Sequence, residues 1–242
     1  NDDSFTDFMR AIDAMKQERT LRGLVLDLRY NPGGLLRSAV EFSNLFVSGG
    51  SIVSGQDRSG RTVWELSAQP NRSALADIPT VVLINQGSAS ASEIVAGCLQ
   101  AHDAAVILGE RSFGKGSVQT VHDISTRAAE AAVKLTTQYY VLPPVVAGES
   151  GRLVHKKPGA DDWGVNPDIE VPMSPEQVQA AIELRRKADL IADWIDEAER
   201  EERPEVDALV REGLDPQLEM ALLLLQARAL KDLEAQQLAR RD

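Results

Sequence analysis

The sequence predicts a layered α/β fold with a helical C-terminal region, and three observations carry that expectation. Two strand-turn-helix patterns follow one another within the first hundred residues. The chain of 242 residues is 43% apolar, enough for one substantial core and a smaller appendage. From Ser174 onward the pattern becomes charged and helical.

The first element is a helix over Ser4 to Lys16, where Phe5, Phe8, Met9, Ile12 and Met15 recur at three- and four-residue intervals. Gly23 to Leu28 is a short apolar run that ends at the breaker cluster Asn31-Pro32-Gly33-Gly34, and Leu35 to Phe46 has helical periodicity. This reads as a buried strand, a tight turn and a helix. The same order returns after Pro79, with a β-branched strand over Thr80 to Asn85 and a helix over Ser90 to Ala101 carrying Ile94, Val95, Cys98 and Leu99. Two such units imply stacked layers around a sheet. Shorter strands are expected at Ala105 to Leu108, Ser117 to His122 and Ala132 to Tyr140.

Ser174-Pro-Glu-Gln177 supplies an N-cap, a proline at the first helical position and a glutamine to close a capping box. A helix is expected from there to about Arg200, and a second opens at Asp215-Pro216 and runs to Leu233. The domain reading is therefore a core over residues 1–172 and a helical region over residues 173–242, whose helices pack on the core or on a partner chain.

Bulk properties exclude several functions. A formal net charge of −11 disfavours binding to nucleic acid or anionic lipid, which rests on clustered Lys and Arg. No stretch approaches the roughly 20 apolar residues of a membrane span, and the opening NDDSFTDF has neither the basic end nor the apolar run of a signal peptide. The single cysteine, Cys98, can form no internal disulfide. Without a His-Glu helix motif or ligand-spaced cluster, no metal site is expected.

Three segments are candidates for chemistry. Ile84 to Glu93 sets Ser88, Ser90 and Ser92 between a strand end and a helix start. Ser90 and Glu93 also have the spacing of a capping box, so Ser90 reads equally well as a plain N-cap. Gly109 to Gln119 holds one lysine, Lys115, between two glycines. A serine nucleophile needs a base, and a lysine serves only when neutral. Lowering its pKa from about 10.4 to about 7–8 costs roughly 4 kcal/mol, which burial in a pocket supplies. On a strand Gln119 would share a face with Lys115 about 13 Å away, so contact needs a bend, which Gly116 permits. Gln119 would then orient the amine without titrating. Third, Gly33 and Gly34 offer backbone N–H groups near a helix start, and the Ala91 N–H could join them as a pair of oxyanion donors. Asp27 and Arg29 read as a structural pair, and nothing ties His102, His122 or His155 to a nucleophile.

Together these segments resemble the carboxyl-terminal processing peptidases, or tail-specific proteases. The matching residues are Gly23-Leu-Val-Leu-Asp-Leu-Arg-Tyr-Asn-Pro-Gly-Gly34, Ser88-Ala-Ser-Ala-Ser-Glu-Ile94 and Gly109-Glu-Arg-Ser-Phe-Gly-Lys-Gly-Ser-Val-Gln119, with Gly164-Val-Asn-Pro-Asp168 as a weaker fourth. The resemblance spans roughly Phe5 to Val171 and implies a crotonase-like core and a serine endopeptidase acting near apolar C-terminal tails. It places the nucleophile on Ser90, the general base on Lys115 and the orienting residue on Gln119, with oxyanion donors from Gly33, Gly34 and Ala91. The family spacing of 25 positions between nucleophile and base selects Ser90 over Ser88 and Ser92.

The resemblance also implies no metal or organic cofactor, protein or peptide substrates, and export to a periplasm-like compartment. Family members carry an N-terminal cap and a PDZ domain that nothing in these residues resembles, so the chain reads either as a peptidase domain excised from a longer, PDZ-containing protein or as one that captures its substrate differently. The rival class is a non-catalytic module that binds apolar ligands or peptides on the same fold.

Overall fold

The structure is a computed structural model, and it describes residues 3–125, 130–146, 148–188 and 208–239. The chain divides into two compact units, Asn1–Ile169 and Glu170–Asp242.

In the first unit, helix α1 (Ser4–Glu18) precedes strand β1 (Leu24–Asp27), helix α2 (Leu36–Phe46), the hairpin β2 (Ser51–Gln56) and β3 (Thr62–Ser67), strand β4 (Thr80–Ile84), helix α3 (Ala91–Ala101) and strand β5 (Val106–Gly109). Strands β6 (Ser117–Asp123), β7 (Ala132–Leu142), β8 (Arg152–Leu153) and β9 (Ile169–Glu170) follow.

These strands form two sheets. One has the order β1-β4-β5-β9, with β4 parallel to both β1 and β5. Every residue of β4 is buried, which explains its unbroken β-branched and aliphatic sequence. The other sheet has the order β3-β2-β7-β6 with β8 added to β7, and its pairings are antiparallel. The fold is thus mixed α/β, with one parallel and one antiparallel sheet.

Helix α3 is buried from Ala91 to Leu99 without interruption, so it is enclosed on all sides rather than along one stripe. Ile94, Leu99, Ile84, Ile107 and Leu142 meet in one core, each side chain contributing on the order of 2 kcal/mol by leaving water. Helix α1 joins through Phe5 and Phe8, whose rings meet Phe42 of α2 edge-on at 5.5 and 5.1 Å.

Each expected strand and helix of this unit forms, with ends shifted by a residue or two. The β2–β3 hairpin was not anticipated. In the second unit, α4 (Pro175–Ala188) starts as expected: the Ser174 N–H donates to Gln177 Oε1 at 2.8 Å and the Gln177 N–H to Ser174 Oγ at 3.3 Å. Its expected continuation to Arg200 lies outside the described residues. A short α5 (Ala208–Arg211) and a long α6 (Pro216–Ala239) complete the unit, and no described helix is long and apolar enough to cross a membrane.

Candidate active site

The parallel sheet delivers β4 to a turn, Asn85–Ser90, from which α3 departs. Within that turn the three serines have different fates. Ser88 is wholly buried, with its hydroxyl donating to the Leu28 carbonyl at 2.7 Å and accepting the Asn85 N–H at 3.0 Å. Ser92 is also buried and donates to the Asn31 carbonyl at 3.1 Å. Ser90 is partly exposed and sits at φ 57°, ψ −116°, a region that a residue with a Cβ enters only when its surroundings hold it there. A strained serine between a strand and a helix N-terminus is the geometry that presents a nucleophilic hydroxyl at the surface. Of the three serines, Ser90 is the one that is strained and partly exposed.

The surroundings that hold it centre on Glu93. This carboxylate is 1% exposed and accepts four hydrogen bonds. Its Oε2 takes the N–H of Ser90 at 2.8 Å and the N–H of Lys115 at 2.8 Å; its Oε1 takes the N–H of Gly114 at 2.7 Å and the hydroxyl of Ser112. The main-chain nitrogens of Ser90 and Lys115 share one oxygen, so they lie no farther apart than two hydrogen bonds. Glu93 thus does more than close the capping box expected of it: it ties the serine turn to the lysine loop.

The lysine loop is held from its other side too. The Ser112 N–H donates to the Val165 carbonyl at 3.1 Å, the Lys156 N–H to the Gly114 carbonyl at 2.9 Å and the Phe113 N–H to the Ser88 carbonyl at 3.0 Å. Trp163 lies over this loop, with the Arg111 guanidinium and the Lys156 ammonium each 4.2 Å from its ring centroid. Burial alternates from Ser112 to Gly116, which puts Phe113 and Lys115 on the exposed side. Lys115 is therefore not carried into a buried pocket; Glu93 fixes its main chain near Ser90 and leaves the residue open to water.

Gln119 lies in β6 opposite Thr136 and is exposed. A register shift between Val118 and Gln119 breaks the two-residue alternation, so its facing does not follow from counting back to Lys115. Gly116 packs closely against the next segment, where an added Cβ would lie 2.7 Å from the His155 nitrogen, so a side chain has no room there.

The glycine turn packs directly on the Ser90 turn. Gly33 adopts φ +90°, and a Cβ there would lie 2.5 Å from the Ala89 carbonyl oxygen, 2.7 Å from the Ala91 nitrogen and 3.0 Å from Ser90 Cβ. Only glycine fits. Its N–H is engaged by Asn31 Oδ1 at 2.9 Å, whereas Gly34 borders open space. Ala91 opens α3, so its N–H has no acceptor within the helix. A cavity of about 370 Å³ adjoins this corner, lined on its apolar side by Phe8, Leu26, Leu28, Leu35, Phe42 and Val95 and reaching Gly33, Gly34 and Ala91.

Asp27 and Arg29 pair as expected, at 2.7 Å, with the arginine side chain 4% exposed. Of the histidines, His102 bonds the Ser51 carbonyl at 2.6 Å and His122 pairs across the sheet with Val133, whereas His155 adjoins the lysine loop at Gly116, with its ring 4.8 Å from that of Tyr139 between centroids. Burial and the neighbouring Lys157 charge hold the His155 pKa below its ordinary value. Cys98 is buried within α3, and burial pushes its thiol up to about 12.

A strained serine at a strand-helix turn is thus tied through one carboxylate to a lysine loop and packed against a glycine turn. The profile of peptidase family S41 matches residues 2–171, and the chain belongs to that family. It is 44% identical over 175 residues to the carboxy-terminal-processing protease of Bartonella bacilliformis, covering 69% of this chain and 36% of that protein. It is 40% identical over 127 residues to the carboxyl-terminal-processing protease of Synechocystis, covering 52% of this chain and 28% of that one. Among solved structures, the photosystem II D1 C-terminal processing protease superposes with a TM-score of 0.60 at 34% identity, over 71% of this chain and 40% of that chain. The chain thus spans about a third of the length of the curated relatives it matches.

Proposed function

We propose that this chain is the catalytic region of a serine endopeptidase in which Ser90 is the nucleophile and Lys115 the general base. The observation that carries the reading is the shared carboxylate: Glu93 Oε2 accepts from both the Ser90 and Lys115 main chains, so the strained serine and the lysine loop are built as one unit. Lys115, unprotonated, takes the Ser90 hydroxyl proton as Ser90 attacks the scissile carbonyl. The Ala91 N–H and the glycine turn stabilise the developing oxyanion; Gly34 donates directly, and Gly33 does so once its N–H leaves Asn31. Lys115 then passes the proton to the leaving amine, and water hydrolyses the acyl-enzyme by the mirrored steps. Gln119 orients the lysine amine. Lys115 is exposed in the free chain, so a bound polypeptide would cover it.

The apolar cavity beside Gly33 and Ala91 accepts an apolar side chain of the substrate, in keeping with cleavage near apolar C-terminal tails. The peptidase core corresponds to residues 1–172 in a crotonase-like layering, with residues 173–242 as a helical appendage available for oligomer contacts. A PDZ domain from a longer chain and an exported location complete the reading. A non-catalytic binding module is less well supported, since it has no use for a serine held at φ 57° beside a lysine loop.

The test is covalent labelling with a fluorophosphonate. Stoichiometric modification of the peptide containing Ser90, lost in Ser90→Ala and slowed at least a hundredfold in Lys115→Ala, supports the pair; labelling at the same rate in Lys115→Ala removes the base assignment.

A further inference from the structure

Two exposed aromatic residues flank the nucleophile turn, and neither has a part in the chemistry above. Tyr30 is 46% exposed and sits at φ 58°, a conformation in which a bulky aromatic residue is a genuine outlier. The strain is held in place by the nucleophile turn itself. The Tyr30 N–H donates to Asn85 Oδ1 at 3.0 Å, that same oxygen accepts the Gly87 N–H at 3.0 Å, and the next carbonyl, of Asn31, accepts from the Ala89 N–H at 3.0 Å and from Ser92 Oγ. The Tyr30 ring packs on Gly87, where an added Cβ would lie 3.1 Å from Cδ1.

Phe113 is 57% exposed, although its neighbours Ser112 and Gly114 are buried on the Glu93 carboxylate. Its own N–H donates to the Ser88 carbonyl, so it is fixed to the turn that Tyr30 also grips, and it shares the exposed side of the loop with Lys115. Neither residue lines the apolar cavity by Ala91. Glycine or asparagine would occupy the Tyr30 backbone conformation at lower cost, and a polar residue would suit the Phe113 position. Strain and solvent exposure of large apolar groups, both anchored to one catalytic turn, point to a ligand that covers them.

We propose that Tyr30 and Phe113 form an aromatic clamp that recognises an apolar side chain of the substrate next to the scissile bond, and so set the cleavage specificity of this chain separately from the cavity at Ala91. The proposal rests on Ser90 being the nucleophile, because that is what places the scissile bond at this turn.

Two measurements on the 242-residue chain test it. In the first, Tyr30→Gly, Phe113→Ala and the double variant digest a peptide library, and cut sites are ranked by mass spectrometry. In the second, Ser90→Ala forms of the same variants are titrated by fluorescence anisotropy with a fluorescein-labelled peptide of apolar centre and with its Ser/Gly-substituted counterpart. Tyr30→Gly suits the positive φ, which offsets part of the unfolded-chain entropy that glycine adds, and a thermal melt of each variant confirms that it folds. The clamp predicts that the double variant loses about tenfold in kcat/KM on apolar sites with little change on Ser/Gly sites, that peptide affinity falls in parallel, and that Tyr30→Phe behaves as the parent. Unchanged cut-site ranking with unchanged affinity, or no binding of either peptide, overturns the clamp. A parent chain that cuts nothing even when joined to a PDZ-bearing N-terminal segment, while its Ser90→Ala form still loses apolar-peptide affinity on Tyr30→Gly, upholds the aromatic contact with an apolar side chain but overturns the nucleophile reading and with it the link to cleavage specificity.

Discussion

Replacing Glu93 by glutamine keeps the side chain's shape and changes only what it can accept. Each carboxylate oxygen serves two donors: Ser90 and Lys115 N–H on one, Gly114 N–H and the Ser112 hydroxyl on the other. An amide has one acceptor oxygen, so its NH2 must face one of these pairs. Facing Ser90 and Lys115, it leaves two buried main-chain donors unsatisfied. Facing the other pair, the Ser112 hydroxyl can turn to accept, but the Gly114 N–H and the Ser112 O–H both lose their acceptor. An unsatisfied buried donor costs about 1–3 kcal/mol, and the remaining bonds lose their charge-assisted strength, so Glu93→Gln should destabilise the first unit by about 2–3 kcal/mol. The same change loosens the tie between the serine turn and the lysine loop, so kcat should fall by more than tenfold while KM moves little. Urea unfolding and steady-state kinetics on one fluorogenic peptide measure both effects. Stability within 0.5 kcal/mol of the parent (about the scatter of a neutral surface substitution) together with parental kcat would refute the role given to Glu93.

Gly33→Ala should abolish labelling of Ser90 without unfolding the chain, since the new Cβ would strike the Ala89 carbonyl and the Ala91 nitrogen; normal labelling with a native circular dichroism spectrum would show that the turn need not pack on the nucleophile. The buried Cys98 thiol, held near 12, should resist 5,5′-dithiobis(2-nitrobenzoate) at pH 8 in the folded chain and react once in urea; fast reaction in the native chain would contradict its burial. His155 has its folded pKa below the ordinary 6.5, so as pH falls below 6.5 the unfolded chain takes up a proton that the folded chain resists, and stability drops. His155→Gln should remove that part of the pH slope in urea-unfolding midpoints, and an unchanged slope would count against it.

Much of this fold is legible in the sequence where one residue's neighbours are near it along the chain. Thr80–Ile84 reads as a buried strand because all five side chains enter the core, and Ser174 to Gln177 announces a helix start through bonds made within four residues. The β2–β3 hairpin escapes such reading: Ser51–Gln56 is short and half polar, and what makes it a strand is pairing with β7 more than eighty residues later and the packing of Gly55 against the Trp64 ring. The site shows the same division. Ser90 and Gly33 stand out locally, as turn and cap residues, whereas the four-donor role of Glu93 depends on a loop about twenty residues away. The sequence signal that could have pointed to it is an acidic residue directly before the apolar run Ile94 to Leu99, which the capping-box spacing already accounts for. The exposed position of Lys115 and the bulge before Gln119 arise from how that loop is pinned, which spacing cannot express.

Digestion of an unfolded protein by this chain, compared with Ser90→Ala and Lys115→Ala and followed by mass spectrometry of the products, tests the central claim most directly. The account predicts cleavage by the parent and its loss in both variants. Cleavage that survives in Ser90→Ala, or a parent that leaves the substrate intact even when joined to a PDZ-bearing N-terminal segment, would contradict it.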